Sequence, residues 1–156
     1  MTQIGLLGAF LGGVMSGWVS RVERHGVAVS AAIVVWGLSM IGMGVAVMAA
    51  RGSLGAMLWV AAVFFALGGA ADVISAAFRT AMMQSAATDA MRGRIQGVFL
   101  VVVAGGPRVA DVLHGVASPS LGAGLTTAVG GALVVVLTVL LSRPGSPFVR
   151  YRAPVA

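Results

Sequence analysis

Long apolar runs, interrupted at intervals by arginine, glycine and proline, organise this chain. A helix needs roughly 20 mostly apolar residues to cross the hydrocarbon core of a bilayer. About five stretches meet that length, at 2–20, 27–49, 56–78, 95–117 and 122–142. The breaks are Arg21–Gly26, Arg51–Gly55, Arg79–Arg94, Ser118–Gly122 and the tail from Arg143, each carrying charge, turn formers or both. The expected fold is all-α: a polytopic membrane bundle of about five transmembrane helices over residues 1–142, followed by a cytoplasmic tail at 143–156.

Composition supports the spans. Apolar residues make up 59 % of the chain and charged residues 9 %, and the mean hydropathy is +1.03, too little polar surface for a water-soluble globule. All ten basic residues are Arg, and nine of them fall in the breaks, biased to alternate ones: Arg21, Arg24, Arg79, Arg92, Arg94, Arg143, Arg150 and Arg152 on one side, with only Arg51 in the breaks of the other. Short loops that keep positive charge stay in the cytoplasm. The reading is a multi-pass protein of the cell inner (plasma) membrane, its start outside and its C-terminus cytoplasmic. The basic charge follows topology and does not gather on one soluble face, which argues against nucleic acid as a partner. The first segment has no positive stretch before it, so it reads as a span and not a signal peptide.

Small residues mark the contacts between spans. Gly8-x-x-x-Gly12 and Gly13-x-x-x-Gly17 each put a pair of glycines on a helical face, the usual means of close helix approach in lipid. Trp18 and Trp59 lie near span ends as interfacial anchors, and Trp36 falls mid-span as a core filler or a pocket wall.

Three ionisable residues fall inside spans, where such groups cost roughly 2.5–3.5 kcal/mol even on the lenient insertion scale and mark substrate or ion paths. Arg108 and Asp111, spaced i, i+3, can pair locally. Gly105, Gly106 and Pro107 precede them, and a proline after two glycines predicts a hinge at membrane depth. Asp72 follows Gly68-Gly69-Ala70-Ala71 in the third span; a lone carboxyl in low dielectric tends to hold a proton, making Asp72 the place to look for proton coupling. Asp72, Arg108 and Asp111 are therefore the candidate substrate or proton pathway.

Enzyme chemistry finds no support. The chain has no Cys, which removes disulfides and thiolate sites. His25 reads as part of a cytoplasmic loop and His114 lies near the outer end of a span; Ser75 and Ser118 have no evident base. No metal and no cofactor are expected.

The stretch Asp89-Ala-Met-Arg92-Gly-Arg94-Ile-Gln-Gly97, continued through Gly106-Pro107-Arg108 to Asp111, resembles the C-terminal half of major facilitator superfamily transporters, closest to their enterobactin-exporter-like branch. Glu23-Arg24-His25-Gly26 resembles a degraded form of that superfamily's cytoplasmic Asp-Arg-x-Gly loop. The resemblance implies the last five of twelve spans, with Glu23, Arg24, Asp89, Arg92 and Arg94 as cytoplasmic loop latches. Thr88 or Asp89 is the expected N-cap of the fourth span. It also implies small-molecule efflux by alternating access, proton-coupled, with siderophores or drugs as substrates. The lipid bilayer, that substrate and an N-terminal transporter half missing from this chain are the expected partners. The alternative is a non-transporting membrane subunit or a non-functional remnant.

Overall fold

The computed structural model describes residues 22, 24–50, 54–86, 91–143 and 146–150, and within them every regular element is a helix. The helices are α1 (His25–Ala49), α2 (Leu54–Ala86), α3 (Arg92–Leu121), α4 (Ala123–Leu141) and the single turn α5 (Pro147–Arg150). Four of them, α1 to α4, are long and apolar enough to cross a membrane. The expected span 2–20 lies outside the described residues.

Two breaks are shorter than the sequence predicts. α2 does not stop at 78 but runs on through Arg79 to Ala86, because Thr80–Ala86 contains neither Gly nor Pro and is rich in helix formers. Its 33 residues rise about 50 Å, longer than the roughly 30 Å hydrocarbon core. Likewise the expected break 118–122 contracts to Gly122, since α3 continues through Pro119 to Leu121. Gly122 takes φ 83°, a backbone region that disfavours residues with a Cβ, and so reverses the chain in one residue. Its N–H bonds to the Ser118 carbonyl at 2.8 Å, while its own carbonyl accepts from the Thr126 N–H and Oγ1 at 3.1 and 2.9 Å.

α1 is the central helix, packed extensively against α2 on one side and α4 on the other. Small residues form both seams. Toward α4, Gly37 faces Gly131 and Gly44 faces Gly124, each pair two helical turns from the next in an antiparallel register. A Cβ on Gly131 would lie 2.6 Å from the Gly37 carbonyl oxygen, and one on Gly124 would lie 2.8 Å from that of Gly44. Backbones this close leave room for glycine alone. Toward α2, the buried stripe is Gly68, Ala71, Ser75 and Phe78 at spacings of three, four and three residues, one face of a 3.6-residue helix. Phe78 is fully buried and packs with Val29, Ile33, Ile74 and Met82 at one end of this seam.

The large side chains point outward. Trp59 is 75 % exposed, and Leu58, Val116 and Leu141 are comparably open. Small residues inside and large apolar ones outside suit association in lipid, where close approach and not hydrophobicity holds helices together; the same surface in water would be one large sticky patch. The chain is a multi-pass membrane protein.

α3 stands apart. It touches α4 far less than α1 does and α2 barely at all, and none of its membrane-length window is buried. Near the α3–α4 turn His114 lies over Gly130, its Nε2 2.7 Å from where a Cβ would sit.

Candidate functional site

Asp72, Ser75 and Arg79 stand at i, i+3 and i+7 on α2 and so share a face. Helical side chains lean toward the N-terminus, and Arg79, two turns downstream, reaches back along that face. Its Nη2 lies 3.3 Å from Asp72 Oδ1, and its Nε donates to the Ser75 carbonyl at 3.3 Å. Asp72 is thus paired and not isolated as the sequence predicts. The pair opens into a cleft of about 190 Å³ bounded also by Ile33 and Trp36 of α1 and Val134 of α4. Trp36 is therefore a pocket wall. Ser75 is 1 % exposed and its Oγ has no hydrogen-bond partner in the protein, a condition that costs roughly 1–3 kcal/mol.

The second group is on α3. Arg108 and Asp111 are both exposed and, contrary to the expected local pair, form no ion pair. The N-terminal lean that brings Arg79 to Asp72 explains the difference, because Asp111 lies C-terminal to Arg108 and the guanidinium leans away from it. At 100° per residue, Gly93, Gly97, Ala104, Arg108, Asp111 and Gly115 fall within about 60° of arc. Nothing lies within 4 Å of a Cβ built on Gly93, Gly97 or Gly115. One open face of α3 therefore combines close-approach positions with two opposite charges near mid-span that have no partner among the described residues. Arg108 and Asp72 are not partners.

The expected hinge residues Gly105, Gly106 and Pro107 lie inside an unbroken helix. Pro107 has no N–H for the Val103 carbonyl, and no other element lies within 4 Å of a Cβ on either glycine. Of the expected latch residues, Glu23 and Asp89 lie outside the described residues. Arg24 immediately precedes α1 and Arg94 is in the first turn of α3; both are exposed, with no ion pair among the described residues. Arg92 begins α3, and the N-cap is Met91, with no side-chain cap, in place of the expected Thr88 or Asp89. His25, read as a loop residue, is buried as the first residue of α1, its ring 5.2 Å from that of Phe78. Among the described residues no three His, Cys, Asp or Glu gather as a metal site would require.

The sequence reading missed the contribution of Arg79 and Ser75. Arg79 had the look of a loop charge and Ser75 of a hydroxyl without a base. The signal was present in the i, i+3, i+7 spacing from Asp72, once α2 is allowed to extend past Arg79. Comparison with protein-family models, with curated proteins and with solved structures returns no match.

Proposed function

We propose that this chain forms one wall of a small-molecule efflux pathway that works by alternating access. The observation that carries the reading is the open face of α3, where Arg108 and Asp111 stand near mid-span without partners among the described residues. Charges at that depth face a water-filled path or another protein surface and not lipid. The layer α2–α1–α4 is the scaffold, and the Asp72–Arg79 pair beside buried Ser75 is a second polar station within it. A second helical bundle supplies the opposite wall. Proton coupling through Asp72 and a siderophore or drug substrate are the finer parts of this proposal, and they rest on the sequence resemblance.

A second reading, a membrane subunit that does not transport, draws on the same face: open glycines at 93, 97 and 115 also suit docking of a partner helix. The lack of native Cys makes the separating experiment direct. Single cysteines at Ala104, Arg108 and Gly115 are expected to react with a membrane-impermeant thiol reagent, while cysteines at the outward-facing Leu133 and Val136 of α4 stay unlabelled. In cells expressing the native protein, Asp72→Asn and Arg108→Ala are expected to abolish ethidium or siderophore efflux with membrane insertion intact. Unlabelled α3 cysteines together with unaltered efflux in both variants overturn the transport reading.

A further inference from the structure

A second cavity lies between α1 and α4, on the half of the seam where α1 begins and α4 ends. It is an open groove of about 660 Å³, walled by Val27, Ala31 and Val35 of α1 and Val139 and Leu140 of α4. Its few polar groups are already satisfied. Ser30 and Ser142 hydroxyls share a hydrogen bond of 2.7 Å, Ser30 also donates to the Gly26 carbonyl at 3.0 Å, and Thr138 donates to the Val134 carbonyl at 2.7 Å. The groove therefore offers a ligand hydrocarbon along its length and nothing to hydrogen-bond there.

Its end differs. Arg143, one residue past the α4 C-cap, lines the mouth and is exposed, with no ion pair among the described residues. Arg24 immediately precedes α1, and Arg150 closes α5, which packs on α1; both are exposed and also lack an ion pair among the described residues. In sequence, the segments flanking this end hold Arg21, Arg24, Arg143, Arg150 and Arg152 against the single acid Glu23. From Val27 to Val35 the α1 wall rises about 12 Å, most of the roughly 15 Å depth of one leaflet's hydrocarbon.

We propose that this groove is a binding site for an anionic phospholipid of the leaflet that the arginine bias makes cytoplasmic. One acyl chain lies between α1 and α4, and the headgroup phosphate meets the Arg143 guanidinium. Charge complementarity selects this occupant: a zwitterionic lipid supplies the chain and the phosphate but offsets the phosphate with its own ammonium, which the arginine-rich end repels, and the apolar segment 2–20 holds no acid. The site is independent of the transport reading.

The test uses the full chain purified in detergent, incubated with an equimolar mixture of phosphatidylglycerol and phosphatidylcholine of identical acyl chains, with retained lipid counted by native mass spectrometry. Phosphatidylglycerol is expected to be retained preferentially. Arg143→Gln is expected to lower its retention about fivefold, the effect of one cation near an anionic surface, and to bring it close to phosphatidylcholine. Ala31→Trp, at an exposed position on the groove wall, is expected to expel both lipids. Equal retention of the two headgroups by the wild type, or of neither, overturns the proposal, as does unchanged retention in both variants; neither-lipid retention is the outcome if segment 2–20 fills the groove.

Discussion

Alanine at Gly131 and at Gly69 should change stability in opposite directions, although both glycines are mid-helix. A Cβ on Gly131 would meet the Gly37 carbonyl oxygen at 2.6 Å, the Met40 Cβ at 2.9 Å and the Ile41 N at 3.0 Å, and two of those three are backbone atoms that move only with α1 itself. Ordinary contact begins at 3.4 Å, so the helices must part by about 0.8 Å, from 2.6 to 3.4 Å. Overpacking of this kind costs about 1–3 kcal/mol, and the gain in helix propensity from Gly to Ala returns only about 0.8–1.0 kcal/mol. With two backbone atoms in the way the overpacking cost falls in the upper half of its range, about 2–3 kcal/mol, so Gly131→Ala should destabilise by about 1–2 kcal/mol. Gly69, one residue from the tight Gly68, has nothing within 4 Å of its added Cβ, so Gly69→Ala keeps the whole gain of up to about 1 kcal/mol. The assay is equilibrium unfolding in mixed micelles of rising dodecyl sulfate fraction, followed by far-ultraviolet circular dichroism. A Gly131→Ala variant as stable as wild type, or one shifted in the same direction as Gly69→Ala, refutes the close α1–α4 seam.

Two further outcomes are expected in the same unfolding assay. Phe78→Ala removes a fully buried ring from the end of the α1–α2 seam and its contact with His25, and should cost about 3–5 kcal/mol; a loss below 1 kcal/mol would mean that the seam is not closed there. Ser75→Ala removes a stranded buried hydroxyl, so stability should hold or rise by about 1 kcal/mol, whereas a clear loss would show that Oγ has a partner in the membrane-embedded protein. The thiol-labelling pattern on α3 with the two efflux variants, and the lipid selectivity of the α1–α4 groove, complete the set.

The spans were legible because a bilayer imposes one requirement on every crossing helix, a run of apolar residues as long as the hydrocarbon is thick. Expected spans 27–49, 56–78, 95–117 and 122–142 each coincide with a helix. The ends were less legible, since local sequence at Arg79 and at Ser118–Leu121 allows a helix to continue where charge or proline marks a break. At the candidate site, Asp72, Arg108 and Asp111 stood out from the sequence alone because charge inside an apolar run is conspicuous. Their partners did not. Asp72 bonds to Arg79 and Arg108 does not bond to Asp111, and the deciding factor is the direction in which helical side chains lean, which spacing alone does not show.

The sequence by itself determined the class of environment and the helical content, because hydropathy and length act locally and need no partner to be read. Only the tertiary structure decided which glycines are indispensable, since Gly131 and Gly69 look alike in the chain and differ solely in what stands opposite. It also placed Trp36 and Ser75 beside Asp72, set the apolar groove with its arginine end between α1 and α4, and left one face of α3 open. Those arrangements depend on how each helix is rotated about its axis, and rotation is fixed by the packing of neighbouring helices.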